Sequence, residues 1–243
     1  MSPYAFAFEP LFLLLAAAAA AAYWRAARPD PPPRWRAVSF AAGLVLIAAS
    51  LNSPLENVAA HYLLLIHLLQ NALIADVAPL LVMLGLTPAM RDALARRGAG
   101  RLRSRWILPA WLLAWYLTHL ALFYDWALRT GWGLNIEHGI LIAAGLLFWW
   151  PIVTGRLTPA TGLGYLIAGF IASSFLGLAY IFSSHPSYAF YAHAPRLWGL
   201  SATRDQNLGG ILMNGEQTLV FLLAIGYFVM RLLDEEHESP APG

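Results

Sequence analysis

Residues 60–86 read AHYLLLIHLLQNALIADVAPLLVMLGL. A helix rising ~1.5 Å per residue crosses ~30 Å of hydrocarbon in roughly 20 residues, and this run exceeds that length. A soluble helix would carry a charged face along it. Here Asp76 is the one acidic residue, and there is no lysine or arginine. The run therefore reads as a membrane span with a few polar side chains placed inside it.

The same texture continues on both sides, in apolar blocks at residues 8–23, 37–51, 107–128, 138–153, 164–182 and 209–232. The composition agrees: 59% of residues are hydrophobic, 12% are charged and the mean hydropathy is +0.59. That balance excludes an ordinary soluble domain. No arginine precedes the first block, so it lacks the charged leader of a cleaved signal peptide and reads as a retained span. The expectation is an all-α polytopic membrane protein: one bundle of about seven transmembrane helices in a single domain, residues 1–243.

Arginine placement predicts the orientation, because positively charged short loops stay on the cytoplasmic side. Arg25, Arg28, Arg34 and Arg36 fall in one loop, and Arg91, Arg96, Arg97, Arg101, Arg103 and Arg105 in the next but one. Arg156 and Arg231 fall on the same side, against Arg129, Arg196 and Arg204 on the other. The N-terminus is thus expected outside and the acidic tail, residues 234–238, inside. The proline-rich residues 28–33 cannot be helical and form a stiff loop, and residues 240–243 read as a frayed end.

Several chemistries are excluded by what is missing. There is no cysteine, so no disulfide or thiolate metal site. All fifteen basic residues are arginine, so a seven-span retinal protein has no lysine for its Schiff base. No basic patch interleaved with aromatics points to nucleic acid, and no nucleophile elbow or zinc-protease spacing points to turnover. The chain is read as a non-enzyme.

What remains is a set of ionisable and polar groups inside the spans, where each costs ~2.5–3.5 kcal/mol to insert and so tends to face the interior with a role. His67 lies about seven residues below the outer end of its span, and His119 about nine below its own. His138 and Met213 enter from the same outer side. Imidazole suits either copper oxidation state and thioether favours Cu(I), so these four form a candidate copper set. Asn71 shares a face with His67 at i, i+4, and His119 shares one with Leu122 and Phe123. Each residue also has a plainer use. The histidines can hydrogen-bond neighbouring helices, Met213 can pack, Asp125 and Glu137 can pair with Arg129, and Asp205 can cap its own helix. His185, His193 and His237 are read as solvated.

In order along the chain stand Ser53-Pro54-Leu55-Glu56, His67 to Gln70 leading to Val77-Ala78-Pro79 and Leu84-Gly85, and His119 with Tyr124-Asp125 and Ala127-Leu128. Glu137-His138, Phe148-Trp149-Trp150-Pro151, Trp198-Gly199-Leu200-Ser201, Asp205-Gln206, Gly210 and Met213 follow. This series resembles the polytopic CtaG-like assembly factors of caa(3)-type cytochrome c oxidase. The resemblance implies a seven-helix protein of the bacterial cytoplasmic membrane that helps supply copper to the oxidase catalytic subunit. Its partners would be that subunit and a copper donor protein. The ligand set is then His67, His119, His138 and Met213, with Asn71, Asp125, Glu137, Asp205 and Gln206 in support. Asn71 stands where the family pattern has a second histidine. The competing readings are a metal or proton transporter relaying through Asp76, Asp125, Glu137 and Glu216, a haem protein with two histidine ligands, and a metal-free folding partner.

Overall fold

The computed structural model describes residues 2–99 and 103–238. Arg101 of the arginine-rich loop and the 240–243 end lie outside the described residues. All regular structure within them is helical. Six helical segments are long and apolar enough to cross a membrane, and a seventh is counted when one bent pair is taken as a single span.

Helix α1 (Pro10–Ala27) leans on α2 (Arg34–Leu51) across the non-helical residues 28–33. Tyr23 stacks on Phe40 at 4.0 Å and donates to the Gly85 carbonyl at 3.0 Å. The outer faces of the bundle are apolar: Leu14, Phe175 and Leu223 are all more than half exposed. In water this would be a liability, but in a bilayer it is the lipid-facing surface.

The 60–86 run is expected as one span, and the structure has one over Leu64–Gly85, with a break ahead of it and a π-helical turn inside it. Helix α3 (Pro54–His61) stops, Leu63 is extended, and α4 (Leu64–Ala72) begins afresh. A π-helical turn (Leu73–Val77) then joins α4 to α5 (Ala78–Gly85). Pro79 explains the turn, since it has no N–H for the Ala75 carbonyl four residues earlier. Helix α9 (Gly133–Val153) approaches that carbonyl through Gly145, where a Cβ would lie 1.9 Å from the Ala75 oxygen. Beyond α5, the short α6 (Pro88–Arg96) lies at the arginine-rich end.

The fourth block, expected as one span, is bent by 62° between α7 (Ser104–Thr118) and α8 (Ala121–Arg129). His119 sits in the break. The Thr118 hydroxyl donates to the Ala114 carbonyl and the His119 ring to the Trp115 carbonyl, so side chains help close the last turn of α7. His119 consequently does not share a helical face with Leu122, which is 88% exposed.

Helices α10 (Pro159–Phe182) and α12 (Ala202–Glu238) pack closely through Gly177 and Gly210, with the five-residue α11 (Ala189–His193) in the connection between them. Three segments run parallel: α4 to α5, α9 and α12. Their registers are fixed by recurring separations. Asp205 meets Leu64, 141 positions apart. Glu137 meets His67 and Gly145 meets Ala75, both 70 apart. Two apolar layers surround these helices, one of tyrosines with Leu64, Leu68 and Met213, the other of Trp111, Phe148, Trp149 and Phe221 toward the arginine-rich end.

Candidate functional site

Helix α4 places His67 on its first turn because α4 starts at Leu64, and the start is fixed from another helix. The two oxygens of Asp205 on α12 accept the Leu64 and Leu65 amides at 2.9 Å each. Asp205 is therefore a cap, as the sequence allows, but for α4 instead of its own helix. A carboxylate at a helix N-terminus satisfies free amides and meets the positive end of the dipole.

Asp125 does the same for α11. Its oxygens accept the Ala189 and Phe190 amides at 3.1 and 2.8 Å, so the expected pairing with Arg129 is replaced by a backbone cap. Gln206 accepts from the Ser187 amide at 2.6 Å and donates to the His185 carbonyl at 3.2 Å, tying down the same connection. These three residues position the helices around the histidines and do not join them.

The register of α9 brings Glu137 and His138 against α4, and Glu137 does not pair with Arg129 either. It is fully buried, its Oε1 lies 3.4 Å from His67 Nε2, and it accepts from Asn71 Nδ2 at 3.0 Å. Asn71 thus holds a carboxylate beside the first histidine. The His67 and His138 ring centroids are 5.9 Å apart.

Protonation of the His67 ring follows from its neighbours. The Tyr191 hydroxyl donates its one hydrogen to the Ala59 carbonyl, so at 2.7 Å from His67 Nδ1 it accepts, and Nδ1 carries the N–H. The lone-pair atom Nε2 then faces the Glu137 carboxylate. Two electron-rich atoms at 3.4 Å call for a positive charge between them, a proton or a metal ion. His119 has the same tautomer, since Nδ1 donates to the Trp115 carbonyl at 2.7 Å. Tying Nδ1–H to a fixed oxygen leaves Nε2 oriented as a donor, the usual support of a ligating histidine.

The Nε2 atoms of His67, His119 and His138 are all buried without a hydrogen-bond partner, as is Glu137 Oε2. His119 stands apart from the other two, across the Tyr124 ring, which is 4.8 Å from His67 and 5.9 Å from His119. No group of three or more histidine or acidic side chains reaches metal-binding geometry among the described residues. Met213 is buried in the apolar layer with Tyr124, Tyr188 and Tyr191.

The tyrosines are the part that sequence reasoning missed. Tyr188 stacks on Tyr124 at 4.3 Å and donates to the His119 carbonyl at 2.8 Å, and Tyr180 donates to Tyr188. Together with Tyr191 they enclose both histidines. The Tyr-x-x-Tyr spacing of Tyr188 and Tyr191, in a connection otherwise read as solvated, was the available signal.

Apolar outer faces, six or seven spanning segments and buried ionisable side chains between three parallel helices define a polytopic α-helical membrane protein. Residues 16–235 match the family described as cytochrome c oxidase caa3 assembly factor (Caa3_CtaG), and the chain belongs to that family. Neither a curated protein nor a solved structure gives a match. Membership makes the protein a cytochrome c oxidase assembly factor of a membrane, with the oxidase as partner, and points to an assembly role over catalytic turnover.

Proposed function

We propose that this assembly factor carries copper as cargo, held as Cu(I) by His67 and His138 beside Glu137, with His119 and Met213 as further donors. The observation that supports this is the set of three buried imidazole Nε2 atoms without a hydrogen bond, that of His67 facing the Glu137 carboxylate at 3.4 Å, with His67 and His119 on rings whose Nδ1–H is tied to a fixed oxygen. An ordinary structural histidine in an apolar interior uses both nitrogens, because a buried polar atom without a partner costs about 1–3 kcal/mol.

Nitrogen and thioether donors match Cu(I) better than a hard cation, and Glu137 offsets the charge of the ion. A low donor number favours release over storage. The site lies at the end of the bundle away from the arginine-rich loops. That end faces outward in a bacterial cytoplasmic membrane, where a copper donor protein would load it and the oxidase catalytic subunit would receive the ion. Turnover chemistry is not part of this reading.

The test is oxidase maturation in cells carrying His67→Ala, His138→Ala or Glu137→Gln. The expected result is normal levels of the assembly factor with oxidase deficient in copper, rescued in part by added copper. Oxidase fully loaded in all three variants would defeat the proposal and leave a metal-free folding partner.

A further inference from the structure

The parallel register of α4 to α5 and α12 places a second polar group deeper in the bundle. Gln217 and Asp76 have the separation of 141 positions that Asp205 and Leu64 have at the other end, so they lie at the same depth in two segments that pack together. Asp76 lies nine residues beyond His67, about 13 Å along the helix. Asp76 and Gln217 are fully buried, and the Glu216 carboxylate oxygens are inaccessible to solvent.

Both oxygens of Asp76, both of Glu216 and both ends of the Gln217 amide lack a hydrogen bond of full geometry. Gln217 is the polar side chain turned toward Asp76, and Glu216 is close enough to interact with it through charge. Among the described residues no arginine or histidine reaches ion-pair distance of either carboxylate. Trp149 contributes its indole N–H to the Asp76 backbone carbonyl, at 3.2 Å, and so does not serve the carboxylate.

Two carboxylates within range of each other's charge in hydrocarbon repel and lose their hydration, and one positive charge held between them relieves the repulsion and lowers the desolvation cost. The donors are all oxygen, which selects a small hard cation over copper. The π-helical turn that carries Asp76 adds a feature frequent at functional positions within helices. We propose that Asp76, Glu216 and Gln217 form a second intramembrane site for a single small hard cation, either a proton or an alkali-metal ion such as Na+. It is independent of the copper reading and shares no residue with it.

The experiment is run on detergent-purified full-length protein at neutral pH, in choline chloride and in NaCl, for wild type, Asp76→Asn and Glu216→Gln. Infrared difference spectra read the protonated carboxyl group, and thermal unfolding reads cation binding. If the occupant is a proton, a protonated-carboxyl absorption is present in both salts and absent from at least one variant. If it is an alkali-metal ion, that absorption is missing in NaCl, and replacing choline by sodium raises the wild-type melting temperature saturably, with the effect lost in both variants. The proposal is overturned if wild type shows neither signal, or if the signals persist unchanged in both variants. Collapse of both variants would also count against it, since removing a carboxylate that needs a bound cation should relieve the fold.

Discussion

Asp205 and Leu64, 141 positions apart, are joined by a 2.9 Å hydrogen bond in which a carboxylate on the last helix accepts the first free amide of α4. The second oxygen accepts from Leu65 in the same way. His67 sits on the turn so fixed. Asp205→Ala removes two charge-assisted bonds and should cost about 2 kcal/mol or more. Asp205→Asn, which keeps one acceptor, should fall between. Unfolding in detergent measures both, and equal stability of the three proteins would show that the cap contributes nothing.

Asp125 has the corresponding role for α11, which carries Tyr191 and through it the Nδ1–H partner of His67. In Asp125→Ala the amides of Ala189–His193 should exchange with deuterium on the order of tenfold faster, while those of α10 stay unchanged. Unchanged exchange in α11 would mean that Tyr191 is held by its own packing alone.

Gly145 lets α9 rest on the carbonyl that Pro79 leaves free. Gly145→Ala would put a methyl group 1.9 Å from the Ala75 oxygen, a backbone atom that cannot swing aside. A loss of about 2–4 kcal/mol, or failure to accumulate, is expected. Gly139 lies on the same helix with nothing within 4 Å of its would-be Cβ, so Gly139→Ala should be neutral or slightly stabilising.

Glu56 lies on α3, outside the spanning helices, bonded to Gln70. Burial pushes its carboxyl up to about 7, while the Gln70 hydrogen bond pulls it back. The folded protein therefore holds this proton more tightly than the unfolded chain. Stability should be greatest below pH 4.5 as far as this group is concerned, and decline on the order of 3 kcal/mol as pH rises through about 7. Glu56→Gln should flatten that slope in unfolding measured across pH. A slope that persists would assign it to other groups.

The spans were legible in the sequence because hydrocarbon thickness imposes a length on apolar runs, and residues 60–86 met it without help from any other segment. Breaks inside the spans were not. The π-helical turn depends on Pro79 meeting Gly145 of another helix, and the bend at His119 on side chains closing α7. The histidines and Glu137 were recognisable as unusual cargo for a bilayer, but the pairing of His67 with Glu137 needs the register of α9 on α4. Asp125 and Asp205 were read against neighbours in their own segments, whereas each serves a helix start more than sixty positions away. Tyr188 and Tyr191 stand outside the spans in the sequence, and their role appears only once α11 folds back over the histidines.

The most direct measurement is copper stoichiometry on detergent-purified protein loaded with Cu(I) under reducing conditions, for wild type beside His67→Ala, His119→Ala and His138→Ala. The account predicts about one copper per chain in wild type, with binding abolished in His67→Ala and His138→Ala and weakened in His119→Ala, whose ring lies across Tyr124 from the other two. Wild-type protein without copper, or all three variants loaded as fully as wild type, would contradict it.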